Sequence, residues 1–215
     1  TPTMKSKIPI LCTLLIVLFT TYVTAQVAKP RPGGNQKSEV CQWMGEVKVC
    51  VNYHSPDVSL PSGKSRRGEI WGKLVPYGLH PQPWLEKEGE APQPKPWRAG
   101  ADENTTLSIS HDVTIAGKAL KASTYGLFFI VGEEEWELVL SNDHDKWGAY
   151  FYDPTNDALR VNVTPEKAEF REWLTYEFLI RKDDQDTLAM LWEELRVPVD
   201  IASPNVHDIY LDQYR

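Results

Sequence analysis

Cysteine is scarce. Three residues in 215 are too few for a disulfide scaffold or a Cys-rich zinc module. Basic residues are also in deficit: 23 Lys and Arg stand against 30 Asp and Glu, giving a formal net charge of −7. Binding a phosphate backbone requires clustered cations, so nucleic acid is excluded as a general partner. The histidines lie at positions 54, 80, 111, 144 and 207. No two have the His-x-His or His-x-x-x-His spacing that sets two imidazoles on one face of a strand or helix. Asn142-Asp143-His144-Asp145 offers oxygen ligands but lacks the Gly and distal Glu of a calcium loop. Neither a metal nor a cofactor is expected. Gly-x-Ser-x-Gly, Gly-x-Gly-x-x-Gly and phosphate-loop motifs are missing as well.

Long apolar runs are absent except for one near the N-terminus. Met4, followed by Lys5 and Lys7, precedes an apolar stretch from Ile8 to Val23, and Val23-Thr24-Ala25 places compact residues at −3 and −1. Residues 4–25 are therefore read as a signal peptide cleaved before Gln26. The apolar core is shorter than the ~20 residues of a membrane span. The expected product is periplasmic or secreted, and soluble, with no transmembrane anchor. Removing Lys5 and Lys7 leaves it still more acidic.

Cys41 and Cys50 suit such a compartment. They flank Gly45-Glu46, a Gly-X pair of the type II′ hairpin kind. If those two residues turn the chain, Met44 faces Val47, and alternation brings Cys41 opposite Cys50 in a non-hydrogen-bonded pair. Cα atoms approach most closely at such a pair, so a disulfide is expected. Two free buried thiols are the alternative.

The rest reads as all-β. Thr106–Ser110 alternates, Val113–Ile115 and Ala119–Leu120 flank a short turn, and Thr124–Val131 is a nearly continuous apolar run expected to be a central strand. Trp136–Leu140, Leu159–Val163, Leu174–Ile180, Leu188–Trp192 and Val197–Val199 complete the set, separated by Asn, Asp and Pro turn signals. Such spacing implies a single-domain antiparallel β-sandwich, jelly-roll-like, with few or no helices. Pro165–Trp173 is the best helix candidate, and Glu193-Glu194-Leu195 a weaker one. The expected organisation is a flexible leader over 26–37, the sandwich over 38–203 and a tail over 204–215. Six prolines between Pro76 and Arg98 forbid a helix or central strand there and mark an insertion at 79–96 that carries Trp84.

Several blocks occur in a fixed order. They are Tyr53-His54-Ser55-Pro56, Ile70-Trp71-Gly72-Lys73-Leu74-Val75-Pro76-Tyr77-Gly78, Trp97-Arg98-Ala99-Gly100-Ala101-Asp102-Glu103-Asn104-Thr105-Thr106, and Trp147-Gly148-Ala149-Tyr150-Phe151-Tyr152-Asp153. Together with Asp112–Lys118, Thr124-Tyr125 and Leu159-Arg160-Val161, they resemble domain-of-unknown-function family 2911. The resemblance implies an exported bacterial β-sandwich protein and no established activity. This chain departs from the family pattern in three places. Leu79–Pro96 intervene where the pattern is short, Asp102 stands where Asn is usual, and Ser123 where Gly is usual.

The Trp97–Thr106 block sets an aromatic, a guanidinium, two carboxylates and a carboxamide just before a strand. Sugar and carboxylate recognition use this combination, although Arg98 could instead pin the loop by pairing with Asp102 or Glu103. The candidate ligand-binding set is Trp97, Arg98, Asp102, Glu103, Tyr125 and Trp147. The expected function is a non-catalytic binding or accessory module for a glycan, another envelope component or a small polar ligand. One alternative is a hydrolase of an envelope polymer, with Asp102 or Glu103 as acid or base and a partner such as Glu137 or Asp153. Another is a purely structural envelope protein. Adjacent carboxylates at 102 and 103 would point to opposite faces of a strand. The basic loop Lys64–Arg67 reads as solvated, with an anion contact as the minor alternative. Asn104 and Asn162 sit in glycosylation triplets, which are normally silent in a bacterial protein.

Overall fold

A computed structural model describes residues 34–81, 93–204 and 210–211. The expected signal peptide, most of the expected leader, the centre of the expected insertion with Trp84, and most of the expected tail lie outside the described residues. Among the described residues ten strands form two antiparallel sheets. The larger has the order β1-β2-β3-β6-β7-β8, with β1 Gln36–Met44, β2 Val47–Ser55, β3 Thr106–Ile109, β6 Ser123–Ile130, β7 Trp136–Ser141 and β8 Asp157–Val163. The smaller has the order β5-β4-β10-β9, with β4 Val113–Ile115, β5 Lys118–Leu120, β9 Glu166–Phe178 and β10 Gln185–Ala202. The all-β sandwich expected from the alternation is therefore present. β1 starts at Gln36, inside the expected leader. No described helix is long and apolar enough to cross a membrane.

Alternation builds the core. Val47, Val49 and Val51 of β2, Leu127 and Phe129 of β6, and Leu188 and Met190 of β10 all face inward into one buried cluster shared by both sheets. Each such side chain stabilises the fold by roughly 1.5–3 kcal/mol when fully buried. Four tryptophans concentrate at one end. Trp71 lies 4.9 Å from Trp136 and 5.6 Å from Trp192, while Trp97 stacks on Trp192 at 6.1 Å. A second, smaller cluster of Phe128, Val139, Ala149 and Tyr152 sits on the opposite side of β6 and β7. Here Arg160 donates to Asp157, Glu137 and the Tyr152 hydroxyl. Burial and the Asp157 carboxylate push the Tyr152 phenol well above its usual range.

The helix candidate at Pro165–Trp173 is corrected: residues 166–178 are strand β9, paired along β10. Local charge content resembles a helix, but an 18-residue neighbour offers backbone partners throughout, and tertiary pairing overrides propensity. Glu193-Glu194-Leu195 is likewise strand. Register shifts fall on either side of Glu193, whose φ is +54°. This bulge lets two expected short strands run as one, and turns the Glu193 carboxylate to accept from the Gly68 N–H.

The hairpin forms in the expected register. Met44 pairs with Val47 and Cys41 with Cys50, and Gly45 alone of the two turn residues has positive φ, at +55°. Cys41 and Cys50 are disulfide-bonded with their Cα atoms 4.1 Å apart. Replacing both by serine should lower stability by about 2–3 kcal/mol, the loop-closure value for a short ring. The urea midpoint measures it, and the oxidised wild type treated with reductant should fall to the same midpoint.

Candidate functional site

Beyond Thr106 the rung partners of β6 come from separate pieces of chain. Leu127 N–H donates to the Thr105 carbonyl, Phe129 and Trp97 exchange two bonds of 2.8 Å, and the Gly78 N–H donates to Val131. Residues 98–104 are thus a loop whose ends are pinned two residues apart on one strand. Its interior is equally fixed. The Ala99 carbonyl accepts from Tyr176 Oη at 2.8 Å and from Thr105 Oγ1 at 3.2 Å, and the Ala101 N–H donates to the His54 carbonyl. A Cβ on Gly100 would stand 2.8 Å from Thr105 Oγ1 and 3.0 Å from the His54 carbonyl oxygen. Ala99 and Asp102 both hold φ of +54°, strain that such over-determined loops can retain.

Arg98 organises one side of this loop. Its Nη1 donates to the Asp102 carbonyl, and the guanidinium lies 5.0 Å from the Tyr150 ring centre. It rests on Gly148, where a Cβ would come within 2.5 Å of Nη1. The loop-pinning role open to Arg98 is therefore real, through the Asp102 backbone rather than its carboxylate. That carboxylate accepts from Asn35 Nδ2 at 3.1 Å.

Arg98 and Asp102 line a recess of about 530 Å³, together with Asn35, Arg66 and His80, over an apolar floor that includes Trp97, Trp192 and Ala149. The volume is that of a small-ligand site. Arg66 is held by the carbonyls of Asp57 and Val58 and by the Asp57 carboxylate at 3.7 Å. His80 is fixed by two backbone bonds to Lys95, and its Nδ1 is buried without a hydrogen-bond partner among the described residues. Burial holds the imidazole below its ordinary range. Arg98 adds to this effect, and the Gly78 backbone opposes it.

Glu103 turns the other way. Its carboxylate lies 3.1 Å from His54 Nε2 and 4.0 Å from Lys37 Nζ, in an open recess of about 330 Å³ shared with Asn52, Asn104 and His144. Such a carboxylate–imidazole pair can orient a ring and pass a proton. Asp102 and Glu103 do diverge, although they sit in a loop rather than a strand.

The structure brings Trp97, Arg98 and Asp102 together and leaves the other three candidates elsewhere. Trp97 is 8% exposed and belongs to the core cluster, so it supplies a wall rather than a free plate. Tyr125 is buried on the inner face and donates to the Lys121 carbonyl. Trp147 is 48% exposed and precedes the Gly148 seat of Arg98. Glu137 is engaged by Arg160, and Asp153 accepts from Thr155 at a 3-10 turn, Pro154–Asn156. The Trp147–Tyr152 run forms an irregular turn: Phe151 is exposed, Tyr152 buried and Tyr150 beside Arg98. Arg66, His80 and His54 joined the recesses without having been singled out as site residues. Only the basic loop and the Tyr53–Pro56 block hinted at them. Among the described residues Glu39, Cys41 and Cys50 gather possible metal-ligand atoms, but both sulfurs are in the disulfide.

A family model described as "Protein of unknown function (DUF2911)" matches residues 35–201, nearly all of the described sandwich. No curated protein and no solved structure matches the chain.

Because His80 is held below its unfolded value, the unfolded chain takes up the proton first as pH falls. The contribution of His80 is complete above the ordinary imidazole pKa, near 6.5, and is lost as acidification proceeds from there through the depressed folded value. Melting temperatures between pH 8 and 5 should fall less steeply in His80→Gln than in the wild type. Parallel curves would show that His80 does not contribute to the acid sensitivity.

Proposed function

Because the chain belongs to the DUF2911 family of unknown function, its role has to be read from its own side chains, and we propose that it is an exported binding module taking a small anionic ligand, such as an acidic sugar, in the recess beside Arg98. The carrying observation is the composition of that recess. Two arginines and an imidazole line it together with tryptophan, and among the described residues Asp102 is the carboxylate lining it. A planar guanidinium recognises carboxylates through paired N–H bonds, and an apolar floor accepts the carbon face of a ring. The pinned loop holds these groups before ligand arrives, which lowers the entropy cost of binding. The signal-peptide pattern of residues 4–25 supports export.

Isothermal titration against hexuronic acids, sialic acid and small dicarboxylates should give saturable binding. Asp102→Asn removes a like charge while Asn tolerates the positive φ, and should tighten binding by about two- to fivefold, the worth of one exposed charge pair. Ala101→Phe fills the recess and should abolish binding. The reading fails if no probe binds, or if both variants bind as the wild type does. Recovery of a chain beginning at Gln26 outside the cytoplasm checks the export half.

A further inference from the structure

The outward face of the large sheet carries a second feature, independent of the Arg98 recess. Residues opposite one another across strands share a face. Asn52 pairs with Thr106, and one rung pair along the strands Cys50 pairs with Ser108, which in turn pairs with Thr124. The Asn52 rung lines the 330 Å³ recess of Glu103. The Cys50 rung lines another, of about 460 Å³, with Lys48, Ser110 and Ser123. The two recesses therefore abut across neighbouring rungs. Along β2, from Lys48 to His54, they span about 20 Å at the usual strand rise.

This strip is rich in hydrogen-bonding side chains. Hydroxyls, the amides of Asn52 and Asn104 and the imidazoles of His54 and His144 line it. Ser108 and Thr124 hydroxyls meet at 2.8 Å, an arrangement that retains both donor and acceptor capacity. At the His54 end, Asn104 is over nine-tenths buried. Its Nδ2 donates to the Asp143 carbonyl, while its Oδ1 has no partner among the described residues. At the other end stands Trp43, 57% exposed. It pairs with Lys48 on the same face, and the Lys48 ammonium lies 5.9 Å from its ring. The Cys41–Cys50 disulfide crosses the middle and stiffens the outermost strand pair. Charges of both signs are present, with Lys48 in one recess and Lys37 and Lys146 beside Glu103 and Asp145 in the other. A strongly charged ligand would meet repulsion somewhere along the strip, whereas a neutral polyhydroxylated chain would find donors and acceptors throughout and an aromatic face for one ring.

We propose that this strip binds a neutral oligosaccharide lying along β2 and stacking one sugar ring on Trp43. The test is affinity electrophoresis and titration calorimetry of the full chain against neutral cello-, xylo-, manno- and malto-oligosaccharides. Saturable binding should appear for at least one series, strengthen with chain length up to the span of the strip, and fall more than tenfold in Trp43→Ala. Trp43 is exposed, so that variant should keep the wild-type melting temperature. Ser108→Trp, which blocks the strip midway, should abolish binding to longer chains. The proposal is overturned if none of the four series binds. It is equally overturned if binding survives both substitutions. Because the Arg98 recess is probed with acidic ligands, neither result bears on that reading.

Discussion

The two hydrogen bonds between Trp97 and Phe129 constrain everything around them. They fix the point at which the chain leaves the ladder, two residues from Leu127, where Thr105 rejoins it, and so force 98–104 to close as a compact loop. The same rung drives Trp97 into the tryptophan cluster, where it stacks on Trp192 of the opposite sheet. A loop of polar residues is thereby attached directly to the core. Its geometry is as fixed as a strand's, although Ala99 and Asp102 hold a backbone conformation that costs energy.

One loop then serves two recesses. Arg98 and Asp102 face the larger recess, which Trp97 and Trp192 help to line, while Glu103 and Asn104 face the smaller one on the outward sheet face. Consecutive side chains on a pinned backbone diverge, so a shift of the loop would alter both surfaces together. Gly148 and Gly100 set its position from either side, since a Cβ at either would press on Arg98 or on the His54 backbone.

Much of the fold was legible in the sequence because short-range rules fix it. A Gly-X turn determines partners along a hairpin, so the register around Cys41 and Cys50 followed from counting. The apolar run at Thr124–Val131 announced a strand buried on both faces, which β6 largely is. The error at Pro165–Trp173 has the opposite character: its state depends on β10, which follows it in sequence. The site was legible only in its local part. Trp97, Arg98 and Asp102 lie within six consecutive residues, and their loop was found. Arg66 and His80 join them from separate segments, and His54 reaches Glu103 from β2. Their meeting depends on rungs such as Gly78–Val131 and His80–Lys95, and no composition or spacing encodes those contacts.

The His80–Lys95 rung has one more implication. It is bonded in both directions and is followed by the Trp97 rung, so the insertion departs and rejoins through a closed base. Loop-closure entropy grows only slowly with length. The number and kind of residues beyond that base can therefore change at little cost to the sandwich, while the base holds their ends beside the Arg98 recess. This position can act as a socket: relatives could acquire different appendages here, and an engineer could splice in a peptide or a small domain, without altering the register of any strand.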